Sequence, residues 1–139
     1  MKKCVILVAI LFSGILVAQE VKPELEAVGN KVKATYYYDN GKVQQEGFFK
    51  DGKLDGVWVS YDEKGNLLQY TTKAGIPVCI VWGYNQTIPI AKIEGAKLTD
   101  IQQSLIDSIV NASNTDASAA TGNDETAFLS ALNTFRSNT

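Results

Sequence analysis

The sequence predicts a mainly β fold: an antiparallel hairpin meander followed by one or two short C-terminal helices. Three observations predict it. Ten of the thirteen aromatic residues lie between Tyr36 and Tyr84, where β-branched and aromatic residues alternate with polar ones, as in half-buried strands. Turn signals recur in that region at intervals that leave room for strands of roughly five to seven residues. After Lys97 the apolar residues recur at helical spacing instead.

The first 18 residues form a separate segment. Lys2 and Lys3 precede an apolar stretch from Val5 to Val17, and the small residue Ala18 precedes polar residues. This order is typical of a secretory signal peptide cleaved after about Ala18, with a retained membrane anchor as the alternative. The stretch is shorter than the roughly 20 residues that a membrane-spanning helix needs. We therefore expect export to the periplasm, the cell surface or the medium.

The composition excludes several functions. The net charge is −2 and becomes −4 when Lys2 and Lys3 leave with the leader, so we expect no nucleic-acid partner. The sequence has no histidine, which excludes Ser-His-Asp and Cys-His catalysis and histidine metal ligands. Cys4 lies in the leader, so Cys79 has no intramolecular disulfide partner and is interpreted as a buried apolar residue. We expect no enzyme activity, no cofactor and no metal.

The mature chain divides into three parts. Residues 19–31 are polar and predict a lead-in with one helical turn after Pro23. Residues 95–139 predict a helix-linker-helix tail. Residues 32–94 between them predict the β meander, which opens with four strands at 32–38, 43–49, 57–61 and 67–72.

Specific turn sequences separate these strands. Asn40-Gly41 and Asp51-Gly52 readily adopt the positive φ that two-residue hairpin turns need, and Gly65-Asn66 ends a third turn. Asp55-Gly56 indicates a further turn or bulge. The acidic residues beside these turns are interpreted as acceptors of backbone hydrogen bonds rather than as catalytic pairs. We expect structural roles for four turn glycines: Gly41, Gly52, Gly56 and Gly65.

A repeat lies inside the meander. Tyr38-Asp-Asn-Gly-Lys-Val43 returns 23 residues later as Tyr61-Asp-Glu-Lys-Gly-Asn-Leu67. Between the copies stand Gly47-Phe-Phe49, Asp51-Gly-Lys-Leu-Asp-Gly56 and Trp58-Val-Ser-Tyr61. Over residues 33–66 these elements resemble the MORN-type repeat, and with the opening at 20–31 they look most like small exported bacterial proteins of the YwqK antitoxin-like group. The resemblance implies a hairpin meander that binds a protein or an envelope component, and an antitoxin-like role.

The sequence departs from that pattern after Asn66. Residues 81–94, Val81-Trp-Gly-Tyr-Asn-Gln-Thr-Ile-Pro-Ile-Ala-Lys-Ile-Glu94, are similar to a segment that precedes the tyrosine-aspartate (Rhs) repeats of large bacterial surface proteins. We therefore expect a junction of two pieces near residues 65–67, with Rhs-associated strands at 76–82 and 87–93 completing the sheet. A truncated or fused Rhs-type fragment without independent activity is the alternative to an interaction protein.

Two helices are expected in the tail. The first begins at a capping box, Thr99-Asp-Ile-Gln102, and its apolar stripe from Leu98 to Val110 is expected to pack on the sheet. Residues 111–122 predict a flexible linker. Residues 124–136 predict a second helix, for which packing and dangling both remain open, with the apolar stripe Phe128, Leu129, Leu132 and Phe135.

The aromatic residues of the meander are the best candidates for binding. Core packing is the alternative for five that we place on one face: Tyr36, Tyr38, Phe49, Trp58 and Tyr61. Tyr37 and Phe48 point to the opposite face, and exposed aromatic residues mark a contact surface. We expect an unknown protein or cell-envelope component as the partner and no catalytic residue. The predicted binding residues are Tyr37, Phe48, Trp58 and Tyr61.

Overall fold

The computed structural model describes residues 22–119 and 125–139, so the predicted leader lies outside the described residues. Within these ranges eight strands form one antiparallel sheet, and a 3-10 turn and two helices, α1 and α2, follow. The predicted fold class is confirmed. The strands are β1 (Glu24–Val28), β2 (Lys31–Tyr37), β3 (Val43–Lys50), β4 (Lys53–Leu54), β5 (Val59–Tyr61), β6 (Leu67–Thr71), β7 (Pro77–Gly83) and β8 (Ile88–Glu94). The 3-10 turn spans Leu98–Asp100, α1 spans Gln103–Ser118 and α2 spans Glu125–Asn138.

The strands pair in chain order, β1-β2-β3-β5-β6-β7-β8, and β4 pairs with the end of β3. All six predicted strands are present, and each of their ends lies within two residues of its prediction. Turn sequences with a strong preference for positive φ set these boundaries. The local sequence therefore determined where the strands of the meander begin and end.

The predicted lead-in is wrong over residues 24–28, which form β1 rather than a helical turn. Leu25 pairs with Ala34 and Ala27 pairs with Val32 of β2. Pro23 stands just before the strand, where its missing N–H removes no bond from the ladder. The polar average of residues 19–31 concealed the alternation Glu-Leu-Glu-Ala-Val, which is the period of a strand.

The predicted Asp-Gly and Asn-Gly turns form loops of different length. Asp51-Gly52 forms the predicted two-residue turn, with φ of 51° and 76°. Asn40-Gly41 instead belongs to a three-residue loop, in which the Gly41 N–H donates to the Tyr38 carbonyl (2.9 Å). A glycine with left-handed φ at the last position is typical of that loop. All four turn glycines of the prediction have positive φ: Gly41, Gly52, Gly56 and Gly65.

The β7–β8 hairpin carries a tyrosine at the same spacing as the two copies of the repeat. Tyr38, Tyr61 and Tyr84 follow one another at a spacing of 23 residues; Tyr61 is the last residue of β5, and Tyr38 and Tyr84 directly follow β2 and β7. β6 pairs with both β5 and β7, so the sheet crosses residues 65–67 without a gap. The departure of the sequence after Asn66 therefore does not end the meander.

Side chains join the three loops at this end of the sheet. The Lys42 ammonium donates to the Lys64 carbonyl (2.8 Å), and the Lys64 ammonium donates to the Asn85 carbonyl (2.7 Å). The Asn66 amide donates to the Gln86 carbonyl (2.9 Å). Each hairpin is thus bonded to the next by its loop as well as by its strands.

The core lies between the C-terminal end of the sheet and the helices. The predicted packing of the first helix is confirmed, because α1 lies on β7 and its Ile109 is fully buried. The Ser113 hydroxyl accepts the Tyr84 N–H (3.1 Å) above Gly83, where a Cβ would overlap it. α2 packs rather than dangles, since Phe135 is only 2% exposed. The buried cluster is Cys79, Val81, Ile101, Ile109 and Phe135.

Two predictions about the helices are wrong. The capping box at Thr99 does not form, because the Asp100 carboxylate accepts the Lys97 N–H (2.9 Å) and α1 begins only at Gln103. The predicted linker is helical as far as Ser118, whereas residues 120–124 lie outside the described residues. None of the helices in the described ranges is long and apolar enough to cross a membrane.

Candidate interaction surface

The two faces of the sheet differ in what covers them. Cys79 belongs to the core under the helices, and directly paired residues on neighbouring strands share a face. The pairing continues from Cys79 to Gln69, Ser60 and Gln45, so the same face extends into the repeats. We call this the helix-side face and its opposite the open face. The open face carries Lys33, Thr35, Glu46, Phe48 and Val59.

The predicted binding residues divide between these faces. Tyr37 and Phe48 lie on the open face, as strand alternation predicts, and Tyr37 is exposed whereas Phe48 is half-buried. Tyr61 is also on the open face, but Trp58 is on the helix-side face. The expectation that Trp58 and Tyr61 share a face is wrong: Trp58, just before β5, packs over Gly47 on the helix-side face, whereas Tyr61 at the end of β5 bonds to Glu46 on the open face. The role of all four in binding stays a prediction.

Polar side chains on the open face already have partners. The Tyr37 hydroxyl donates to a Glu24 carboxylate oxygen (2.7 Å), and Lys33 forms an ion pair with Glu46 (2.9 Å). The Tyr61 hydroxyl also donates to Glu46 (3.4 Å). The bond to Glu24 raises the pKa of Tyr37, and the bond to Glu46 raises the pKa of Lys33. These contacts make this part of the open face a connected polar surface.

Trp58 packs on the sheet at the helix-side face. A Cβ on Gly47 would lie 2.7 Å from the Trp58 Cδ2 atom, so only glycine leaves room for the ring. The ring contacts Phe49 edge-on, with centroids 5.6 Å apart, and Tyr36 with centroids 6.3 Å apart. The Trp58 indole N–H donates to Gln45 (3.2 Å). Trp58 therefore holds the second repeat against the first.

An exposed apolar patch adjoins this cluster on the helix-side face. Ala27 pairs with Val32, Val32 with Phe49, and Phe49 with Leu54, so four strands contribute neighbouring side chains. Leu25 points to the same side two pairs further along β1. The exposed fractions are 65% for Leu54, 55% for Leu25 and 39% for Val32. We call Leu25, Ala27, Val32, Phe49 and Leu54 the repeat patch.

The helices cover the other end of this face. α1 packs on β7 and α2 packs on α1, whereas the repeat patch lies on the first four strands. Contiguous exposed apolar side chains mark interaction sites on soluble domains. Sequence reasoning missed the patch because β1 was not recognised as a strand. The alternation of Leu25 and Ala27 with two glutamates was the signal that could have revealed it.

A cavity of about 360 Å³ lies at the opposite end of the sheet, between β8 and α2. Lys92 and Glu94 line it and form an ion pair (2.6 Å). Its other lining residues include Ile90, Ile93, Leu132, Phe135 and Arg136. α2 therefore stands beside the outer strand at this end.

Two buried titratable residues, Asp62 and Cys79, have structural roles. Asp62 is buried, and its carboxylate accepts the backbone N–H groups of Lys64 (2.9 Å) and Asn66 (2.8 Å), as the turn interpretation predicts. Cys79 is a free, buried cysteine, and burial raises the pKa of its thiol. Within residues 22–119 and 125–139, no group of three or more His, Cys, Asp or Glu residues is arranged to hold a metal ion.

Comparison with known families identifies the repeats. Residues 32–51 and 54–72 match the family model described as a MORN repeat variant. The resemblance to MORN-type repeats is thus confirmed for two adjacent units, which cover β2–β3 and β5–β6. The second unit extends to Thr72, so the prediction that the repeat pattern ends at Asn66 is wrong. No match was found among curated proteins or among solved structures.

Proposed function

We propose that this chain is a non-enzymatic interaction protein whose MORN-type sheet binds another protein through the repeat patch. The observation that carries the proposal is the exposure of contiguous apolar side chains on a face that helices cover elsewhere. Apolar surface in water costs roughly 25 cal/mol per Å², which burial against a partner recovers. The MORN repeats support the proposal because they form a β-repeat interaction module.

The proposal includes export and an antitoxin-like role. Lys2 and Lys3, the apolar stretch from Val5 to Val17, and Ala18 support a cleaved signal peptide. The partner would then be a protein of the cell envelope, and the YwqK-like opening supports a partner that is neutralised when bound. N-terminal sequencing of the mature protein tests the export step. A start at or near Gln19 supports it, and a start at Met1 overturns it.

The alternative is a fragment of an Rhs-type surface protein without independent activity, which the similarity of residues 81–94 favours. Continuous pairing of β5, β6 and β7 across residues 65–67 supports an independently folded unit instead. The bonds from Lys64 to Asn85 and from Asn66 to Gln86 support it as well, because they join the two pieces at their loops.

A capture experiment with matched variants tests the proposed surface. Tagged mature protein is incubated with envelope extract, and bound proteins are compared among the wild type, Leu54→Lys and Leu129→Lys. Leu54 belongs to the repeat patch and is 65% exposed, whereas Leu129 is 51% exposed on α2. We expect a defined partner with the wild type and Leu129→Lys, and its loss with Leu54→Lys. Equal capture by all three proteins would exclude the repeat patch as the binding surface.

A further inference from the structure

The two outer strands of the sheet differ in how their edges are protected. Within the described chain, β1 pairs only with β2 and β8 only with β7. β8 contains Pro89, which has no N–H, and it faces α2 across the cavity. β1 contains no proline, pairs with β2 without a register shift and is exposed at all five residues. It therefore presents a regular and accessible edge to which another strand can pair.

The side chains of β1 divide into an acidic side and an apolar side. Glu24 pairs with Thr35 and Glu26 pairs with Lys33, which places both carboxylates on the open face. Leu25 and Ala27 lie on the helix-side face, where they belong to the repeat patch. The edge therefore combines negative charge on one side with apolar surface on the other.

The two lysines of β2 that lie beside β1 form ion pairs with residues outside β1. Lys33 forms an ion pair with Glu46 (2.9 Å), and Lys31 forms an ion pair with Asp55. Glu24 instead accepts a hydrogen bond from the uncharged Tyr37 hydroxyl (2.7 Å). β1 itself thus carries two carboxylates and no basic residue on its open-face side.

We propose that an extended segment of a partner protein adds to the free edge of β1 as a further antiparallel strand. Its basic residues lie beside Glu24 and Glu26 on the open face, and its alternate apolar residues extend the repeat patch. Added strands of this kind bind through backbone hydrogen bonds, and the alternating side chains supply specificity. The inference rests on the proposed function and names the chemistry of the partner.

The pairing of β1 with β2 shows that a strand of alternating basic and apolar residues fits beside β1. β2 begins Lys31-Val-Lys-Ala34. Its Lys33 lies opposite Glu26, and its Val32 lies opposite Ala27. A partner strand with the same basic and apolar alternation would place the same pairs on the outer edge. Opposite charges directly across two strands stabilise their pairing.

A second copy of this chain fits the edge poorly. In the antiparallel register that pairs all five residues of two β1 strands, Glu26 lies opposite the same residue of the other copy, and like charges there destabilise the pairing. The glutamates therefore select against self-association and in favour of a basic partner.

Two short peptides serve as probes. One copies the seven residues of β2, Lys-Val-Lys-Ala-Thr-Tyr-Tyr, and the other has glutamate at both lysine positions. Each is titrated into the ¹⁵N-labelled mature chain at low ionic strength, and two-dimensional NMR reports both affinity and location. In the register of β2 the second lysine lies opposite Glu26, so we expect the basic peptide to bind about fivefold more tightly than the acidic one, because one attractive pair replaces one repulsive pair. The largest shifts should occur at residues 24–28.

Charge reversal locates the contact. The double variant Glu24→Lys/Glu26→Lys should prefer the acidic peptide, and its circular dichroism spectrum shows whether it remains folded. Glu94→Lys on β8 is the matched control, and it should keep the wild-type preference. Equal binding of both peptides, an unchanged preference in the double variant, or shifts confined to β8 and the helices would overturn the inference. So would a wild-type dimer in sedimentation that hides residues 24–28 from the peptides.

The two proposals fail separately. If Leu54→Lys abolishes partner capture while both peptides bind equally, the repeat patch binds its partner without strand addition. If the peptides discriminate as expected while Leu54→Lys leaves capture intact, strand addition stands and the repeat patch is not the main contact.

Discussion

The contact between Gly47 and Trp58 determines how the second repeat packs on the first. A Cβ on residue 47 would lie 2.7 Å from Cδ2 and 2.8 Å from Cζ3 of the Trp58 ring. Phe49 and Tyr36 flank that ring and limit its movement. We expect Gly47→Ala to lower the free energy of unfolding by about 1–3 kcal/mol, because the added methyl group displaces the indole. Urea denaturation followed by circular dichroism measures the loss.

Introducing Gly47→Ala into a Trp58→Leu variant tests whether the indole causes the loss of stability. In Trp58→Leu the smaller side chain leaves room at position 47, so adding Gly47→Ala should then cost little or even stabilise the strand, since alanine restricts the unfolded chain. If Gly47→Ala cost the same in both backgrounds, its effect would come from the backbone of β3 and not from the indole.

At the residue scale, the predicted face of a side chain is right where the strand was recognised and its alternation was followed, which was not done for Trp58 and Tyr61. Tyr37 and Phe48 lie on the open face for that reason. The repeat patch was not predictable in this way, because Leu25, Val32 and Leu54 come from three strands and two of those strands, β1 and β4, were not expected. Their contact depends on the pairing of β1 with β2 and of β3 with β4, which no local pattern supplies.

At the scale of elements, α2 is anchored mainly by one residue. Phe135 is 2% exposed and belongs to the core cluster with Cys79 and Val81. Phe128 adds an edge-on contact with Tyr84, with centroids 5.8 Å apart. We expect Phe135→Ala to lower the free energy of unfolding by about 3–5 kcal/mol, because it removes a buried ring and leaves a cavity. Chemical denaturation of both proteins measures the difference.

Leu129 provides the matched control on the same helix, since it is 51% exposed. Leu129→Ala should change the free energy of unfolding by about 0.5 kcal/mol or less. Similar small effects of both substitutions would mean that α2 does not contribute to the folded core in solution.

The elements that the sequence predicted are those bounded by strong local signals. Each strand of the hairpins adjoins a turn rich in glycine, asparagine or aspartate, so its limits were set locally. The C-terminal part of α1 was expected to be a linker because its composition is polar. Tertiary bonds hold it instead: Ser113 accepts the Tyr84 N–H, and Asn114 accepts the Asn85 N–H (2.7 Å). Such contacts override local preference and are not visible in the sequence.

For the whole molecule, the important boundary is residues 65–67, where the sequence predicts that two pieces meet. Two side chains bond across it: the Lys64 ammonium donates to the Asn85 carbonyl (2.7 Å), and the Asn66 amide donates to the Gln86 carbonyl (2.9 Å). The helices, however, pack on β7 and not on the first two repeats. Repeat arrays depend on contacts between neighbours and can lose cooperativity where one interface is weak. The strength of this interface decides whether the chain folds as one unit.

The two tryptophans can measure that strength, because Trp58 lies in the second repeat and Trp82 lies in β7, on the other side of residues 65–67. In each single-tryptophan variant, Trp82→Phe and Trp58→Phe, we expect fluorescence and circular dichroism to give the same urea midpoint, as probes of one cooperative transition do. The comparison is made within each variant, because each substitution also shifts stability. The bonds across residues 65–67 are the physical reason for this expectation. If Trp58 fluorescence instead changed at lower urea than the helical signal of the same protein, the repeats would unfold first, and residues 65–67 would separate two independently folding pieces.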